Sequence, residues 1–433
     1  MSWMKNVLFI VYYFPPMGGS GVQRPLKFAK YLKEFGWNPI ILCPEPGVYQ
    51  FFDHSLEQEL ESLDLEIHRV KANTPFHKFG GVKKQTGLVT GMLSKILRFI
   101  SRKIYFPDNK RAWIEPAVQK GKELIDDKKI DLIFSTAPPF SNHIIAQHLN
   151  ELTDIPYVLD YRDLFTGNHF EENESESRNT KKVSTESEWL RHSSGVVALD
   201  QFAGNKIQEV LTSKTLNMEI ISHGFDQEDF DSHRNTSLDY KKGKINWLYS
   251  GLFYEANQPD IFLNGLKELF TKTPELREKT HLHFQGGLDS RIKKLIGDLG
   301  FEDIISDYGY LSHDTSVANL LKADILWMIS NFSENLKQIK SGKLFEYIGT
   351  KKPILGLVHP GEASKLLDDY KVGFHAVPDN IYDVTNTLEE VYELWAKAKI
   401  PEASKEFTEM YERKSLTNKL SLFFDKVVEN AQV

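Results

Sequence analysis

The sequence predicts an α/β protein of two domains, each a parallel sheet covered by helices on both faces. Three observations predict it. Short apolar runs alternate with longer amphipathic stretches along the whole chain, the pattern of doubly wound parallel sheets. The runs fall into two series separated by a polar segment, 226–244. The length of 433 residues suits two domains at roughly 100–200 residues each.

The first series of strand-like runs is Val7–Tyr13, Pro39–Cys43, Asp131–Ser135, Tyr157–Asp160, Gly195–Leu199 and Glu219–Ser222. The second is Asn246–Gly251, His281–Gln285, Asp324–Ser330, Pro353–Val358 and Gly373–Ala376. Their continuous apolar character fits strands buried on both faces. Helical periodicity fills the intervals, as at Arg24–Phe35, Glu115–Asp127, Asp260–Thr271 and Ser341–Ile348. These patterns predict a first domain over 1–225, a linker over 226–244 and a second domain over 245–411. The polar stretch Glu171–Ser187 is expected to be a mobile loop.

Composition narrows the function. Hydrophobic residues make up 41% and charged residues 26%, the balance of a folded globular chain. The net charge of −7 argues against a protein devoted to nucleic acid. The one cysteine, Cys43, excludes an internal disulfide and a cysteine-rich zinc site, and its place in an apolar run reads as core. The run Val7–Phe14 is too short to cross a membrane and lacks signal-peptide flanks, so a cytoplasmic location is expected. No metal signature stands out. The one Asp-x-Asp, Asp229-Phe230-Asp231, falls in the linker and reads as a solvated turn.

The charge is unevenly spread. Residues 78–111 carry nine Lys or Arg against one acid, a local balance of +8. Within them, 88–104 reads as an amphipathic helix with Lys95, Arg98 and Arg102 on one side and Val89, Met92, Leu93, Ile96, Leu97, Ile100 and Ile104 on the other. Such a helix suits an anionic membrane surface, and equally a core-facing position with a solvated basic face.

Two segments carry phosphate chemistry. The first strand runs into Phe14-Pro15-Pro16-Met17-Gly18-Gly19-Ser20-Gly21-Val22-Gln23-Arg24 and then a helix. Glycines admit a close ligand and a helix start offers free N–H groups, so Gly18, Gly19, Ser20, Gly21 and Arg24 are candidate phosphate contacts. The segment matches only part of the dinucleotide fingerprint, because Arg24 stands where a third small residue belongs. A nicotinamide enzyme using Glu45, and a purely structural glycine turn, stay open. In the second half, Gln338-Ile339-Lys340-Ser341-Gly342-Lys343-Leu344-Phe345-Glu346-Tyr347 places Ser341 as N-cap, with Gly342 and Lys343 at the helix start. Glu346, one turn in, can accept two hydrogen bonds from a ribose diol, or simply favour the helix dipole.

With both segments in this order, the chain resembles the retaining glycosyltransferases of family 4, which have the GT-B fold, in the branch that builds bacterial polysaccharides. Further landmarks are Ile220-Ile221-Ser222-His223-Gly224-Phe225-Asp226, Tyr249-Ser250-Gly251-Leu252-Phe253-Tyr254 and Tyr308-Gly309-Tyr310-Leu311. The resemblance covers roughly residues 5 to 390. It implies two Rossmann-like domains facing across a cleft, with a nucleotide-sugar held mainly by the second. Glu346 then binds the ribose, and Lys343, Leu344 and Phe345 touch phosphates or sugar. Lys340, Gly251 and Leu311 join the donor site, and Gly18 to Gly21 close over the donor. The nucleotide-sugar is the substrate, and no resident cofactor or metal is implied. The last helix, about 412–433, is expected to pack back on the first domain.

Two positions depart from the family pattern. Gln338 stands where a glutamate contacts the transferred sugar, and 252–259 holds neither the Arg nor the Lys that neutralise the diphosphate. Arg24, Lys337, Lys340 and Lys343 are the substitutes. In the first domain, Asp160-Tyr161-Arg162-Asp163 follows a strand end, where α/β sheets bind ligands. Asp163 is the candidate for orienting or deprotonating an acceptor hydroxyl, and Arg162 is expected to pair with Asp160. Capping or ion pairing is the equal alternative for Asp160 and Asp163. His143, in the loop after the preceding strand, is a candidate for substrate contact and equally for capping or packing. The expected activity is transfer to a saccharide or lipid-linked acceptor with retention. A sugar-nucleotide epimerase of the same fold and a non-catalytic relative are the alternatives.

Overall fold

The computed structural model describes residues 4–47, 52–71, 105–167, 175–231, 237–253, 257–330 and 342–431. The basic segment 88–104, together with Gln338 and Lys340, lies outside them. The chain folds as two compact units: unit 1 is Met1–Ser222 with Arg413–Val433, and unit 2 is His223–Glu412.

Unit 1 is built on a seven-stranded parallel sheet in the order β3-β2-β1-β4-β5-β6-β7. The strands are β1 Lys5–Ile10, β2 Trp37–Pro44, β3 Glu66–Val70, β4 Leu132–Ala137, β5 Tyr157–Tyr161, β6 Gly195–Ala198 and β7 Met218–Ile220. The period-2 alternation of a strand sends Leu8 and Ile10 into one core and Val7 and Phe9 into another, so the sheet is buried on both faces. The second of these cores includes the last helix, Arg413–Ala431, through Leu416, Leu420, Phe423, Phe424, Val427 and Val428. Gly195 is required there, since a Cβ would stand 2.7 Å from the Phe423 ring. Ion pairs fasten the same helix: Lys5 to Asp425 at 2.8 Å, Lys414 to Glu34 at 2.6 Å and Lys419 to Glu219 at 2.9 Å.

Unit 2 has a six-stranded parallel sheet in the order β10-β9-β8-β11-β12-β13. Its strands are β8 Ile245–Ser250, β9 Thr280–Gln285, β10 Ile305–Asp307, β11 Ile325–Ser330, β12 Ile354–Val358 and β13 Gly373–Ala376. Trp247 and Trp327 anchor one face, while Leu248, Leu326 and Met328 pack with helix Gly342–Gly349 on the other. The α/β expectation is met in both halves.

Two local expectations fail. Glu171–Ser187 is not a loop over its described part: Ser175 caps a helix, Glu176–His192, by accepting from Arg178 N. That helix buries Lys182, Glu186, Trp189 and Leu190, so its inward face is half charged and carries little apolar signal. Asp229-Phe230-Asp231 is helical within Gln227–Asp231, and Phe230 packs edge-on to Phe225 at 5.6 Å. Among the described residues no helix is long and apolar enough to cross a membrane, and no group of three His, Cys, Asp or Glu could hold a metal ion.

Candidate functional site

In unit 2 the connections from β8 run outward through β9 and β10, whereas those from β11 run the other way. The β8/β11 boundary is therefore a switch point, and adjacent loops diverge beyond the strands' carboxyl ends. The chain turns tightly there. Gly251, at φ 126, donates its N–H to Gln285 O at 2.7 Å, and Gly286, at φ 128, donates to Gly309 O at 2.7 Å. A Cβ on Gly286 would lie 2.3 Å from Gly251 O, so only glycine lets these two turns close. Polar side chains brace the edge from behind. Asn319 donates to Gln285 Oε1 at 3.1 Å, Gln285 donates to Ser316 Oγ at 2.7 Å, and Ser250 N donates to the Tyr347 hydroxyl at 2.8 Å.

Helix Gly342–Gly349 begins against this edge. Its Lys343 ammonium lies 4.1 Å from the centre of the Tyr249 ring and packs so closely over Gly251 that a Cβ there would be 2.7 Å from it. No hydrogen-bond acceptor for this ammonium stands among the described residues. Enclosure pushes the amine down to about 7, against the upward pull of the Glu346 carboxylate. Three residues on, Glu346 accepts at Oε1 from His313 Nε2 at 3.1 Å. Its side chain is 30% exposed, so the carboxylate is open to a ligand. Leu311 is half-buried in the turn that leads to Ser312, the N-cap of helix His313–Lys322. The side chains of Leu344 and Phe345 are fully buried in the unit 2 core. What they offer a ligand is the backbone N–H of a first helical turn.

Unit 1 has its own switch point, between β1 and β4. The glycine loop after β1 leads into helix Ser20–Leu32, with Gly19 at φ 103 as its N-cap and Gly18 buried. Arg24, in the first turns of that helix, is 1% exposed. It donates to Asp160 at 2.8 and 3.2 Å, to Ser222 O at 2.7 Å and to Ile221 O at 3.0 Å. Its guanidinium is thus committed inside unit 1 as a strut, and phosphate charge is not what it is placed to meet. Asp160 also accepts from Thr136 Oγ1 at 2.7 Å. The expected pairing of Arg162 with Asp160 is corrected accordingly. Arg162 instead donates to the carbonyls of Gly21, Pro138 and Ala137, tying together the loops after β1 and β4.

The two acceptor-side candidates part company. Asp163 is exposed at the loop surface, yet the packed residues around it displace enough water to lift its carboxyl to about 6, opposed by Arg162. His143 is fully buried among Phe140, Tyr161 and Trp189, with Nδ1 2.8 Å from Ser135 Oγ and no partner at Nε2 among the described residues. Burial lowers its proton affinity to about 3, so it stays neutral and acts by packing.

No family model and no curated protein matches the chain. Solved structures do. A glycosyltransferase from Rickettsia africae ESF-5 is similar at TM-score 0.61 and 16% identity, covering 99% of this chain and 98% of that one. An S. aureus TarM mutant, in complex with fondaparinux, alpha-GlcNAc-glycerol and UDP, gives 0.61 and 13%, covering 98% and 100%. WaaG, a glycosyltransferase involved in lipopolysaccharide biosynthesis, gives 0.57 and 13%, covering 96% and 98%. These likenesses span both units. The fold is GT-B.

Within the GT-B framework, the structure gathers Gly251, Lys343 and Glu346 at one sheet edge and sends Leu344 and Phe345 to the core. Gly18, Gly19, Gly21, Arg24, Asp163 and His143 belong to unit 1. His313 and Tyr249 complete the unit 2 cluster; Tyr249 belongs to the landmark stretch that opens the second domain, whereas His313 was not singled out in the sequence. No local signal marks His313 as the partner of Glu346, 33 positions later.

Proposed function

We propose that this GT-B protein is a retaining glycosyltransferase that takes a sugar from a nucleotide-sugar and gives it to a saccharide or lipid-linked acceptor in cell-surface polysaccharide assembly. One observation carries the reading: an enclosed ammonium, Lys343, with no hydrogen-bond acceptor among the described residues, one helical turn from the open carboxylate of Glu346, at the switch point of unit 2. The Glu346 carboxylate and the Tyr249 ring face balance part of the ammonium's charge, and an anion that also accepts its hydrogen bonds would offset the cost of enclosing it. A diphosphate against Lys343 and the first-turn N–H groups of helix Gly342–Gly349, with a ribose on Glu346, fits both groups. The UDP of the similar TarM complex supports a nucleotide ligand of this kind.

In the reaction, the bond between the sugar's anomeric carbon and the diphosphate oxygen breaks as the acceptor hydroxyl bonds to the same face of that carbon. The hydroxyl proton passes to the departing diphosphate. Charge gathers on that diphosphate, and the Lys343 ammonium and the helix N–H groups are oriented in advance to meet it. Gln338 hydrogen-bonds the transferred sugar, Lys340 adds charge to the diphosphate, and Asp163 orients the acceptor. Besides the acceptor, the proposed reaction calls for the nucleotide-sugar, with no resident cofactor or metal.

The sequence of 88–104 supports a cytoplasmic protein that touches anionic lipid, each basic residue contributing about 1 kcal/mol near the surface. Liposome flotation tests this contact, and binding indifferent to anionic lipid refutes it. The activity itself is tested by incubating the protein with labelled nucleotide-sugars and a lipid or saccharide acceptor extract. Acceptor-dependent release of nucleoside diphosphate with a labelled glycoside supports the reading; conversion of donor without acceptor refutes it.

A further inference from the structure

We infer that His313 is a positioning residue for Glu346 and thereby sets a preference for ribose over 2′-deoxyribose in the bound nucleotide, an inference that rests on the donor-site reading above. Glu346 sits between two attractions. On its own helix, Lys343 lies three residues back, on the same face, and draws the carboxylate electrostatically. From helix His313–Lys322, His313 Nε2 reaches Glu346 Oε1 at 3.1 Å, with the two side chains 17% and 30% exposed. An ionised carboxylate only accepts, so Nε2 carries the proton of this bond. Among the described residues Oε2 has no hydrogen-bond partner.

A carboxylate held at one oxygen presents the other in a fixed direction. One ribose hydroxyl then donates to Oε2 and its neighbour to the remaining lone pair of Oε1, a pairing that needs the full 2′,3′-diol. Without His313, the attraction left to Glu346 among the described residues is the Lys343 ammonium. A turn toward it withdraws the carboxylate from the diol, so the second hydroxyl no longer finds a placed acceptor. The consequence is selective: ribose recognition falls more than diphosphate recognition.

Calorimetric titration with uridine, guanosine and adenosine diphosphates, each beside its 2′-deoxy form, tests this. Wild-type protein is expected to prefer the ribo form of its best ligand by about tenfold or more, the scale of one hydrogen bond to a charged group. His313→Ala should bring the ratio close to one, whereas His313→Gln, which keeps an amide donor, should retain most of it. His313→Phe keeps the ring's bulk without a donor and gives the same answer as alanine should the smaller residue prevent folding. A wild-type ratio preserved in the donor-less variants, or equal loss of both sugars, overturns the role of His313. No nucleotide binding to the wild type overturns the donor-site reading itself, and the two failures are thus told apart.

Discussion

Binding of a nucleotide-sugar should weaken about tenfold between about pH 6 and about pH 8, because the Lys343 ammonium is half lost near pH 7 in the free protein. The sign follows from the site. Enclosure favours the neutral amine before binding, and a diphosphate favours the ammonium, so the ligand takes up a proton as it binds. With a free-state value of about 7, the charged fraction falls from about nine-tenths at pH 6 to about one-tenth at pH 8, which costs about 1.4 kcal/mol of affinity. A nucleotide-sugar is the right probe, since both its phosphates are esterified and neither titrates in this window. Calorimetry at pH 7 in buffers of different ionisation enthalpy should show uptake of about half a proton per ligand. Lys343→Arg keeps a permanent charge and should flatten the profile. Lys343→Met should bind weakly at every pH. A flat wild-type profile, or a methionine variant as tight as wild type at pH 6, refutes the reasoning.

Two further predictions concern the interior of unit 1. Arg24→Ala leaves Asp160 buried without its ion pair and should destabilise unit 1 by about 3–5 kcal/mol in denaturant unfolding; a change below about 1 kcal/mol would mean the strut is dispensable. Burial lifts Glu186 to about 7, so its folded form holds a proton that the unfolded chain releases earlier; stability should decline as pH rises from about 4.5 to about 7, by up to roughly 3 kcal/mol, and level off above. Glu186→Gln, which still accepts from Thr166 N, should remove that slope in pH-dependent melting, and an unchanged slope assigns it elsewhere.

The sheets were legible because parallel strands buried on both faces read as unbroken apolar runs, as in β1, β4 and β11. The strands that escaped notice are edges. β3 has five half-buried residues, and β10 has only three residues. Helix Glu176–His192 was hidden because Lys182 and Glu186 occupy its buried face, where periodicity looks for apolar groups. In the site, Lys343 and Glu346 could be found because the chemistry of a helix start is local. Partnerships across the chain could not. Arg24 looked like a cation for phosphate because its acceptor, Asp160, lies 136 positions away. The sequence left His143 open between packing and substrate contact, and the packing of Phe140 with Tyr161 and Trp189, both distant in sequence, decides for packing.

The central claim is that the carboxyl edge of unit 2 holds a nucleotide-sugar. Its most direct test is calorimetry of wild type and Glu346→Ala against a panel of nucleoside diphosphates and nucleotide-sugars. Saturable wild-type binding, reduced by about tenfold to a hundredfold in the variant, is the predicted result. Equal affinity in the two proteins, or no binding by the wild type to any member of the panel, would contradict the claim.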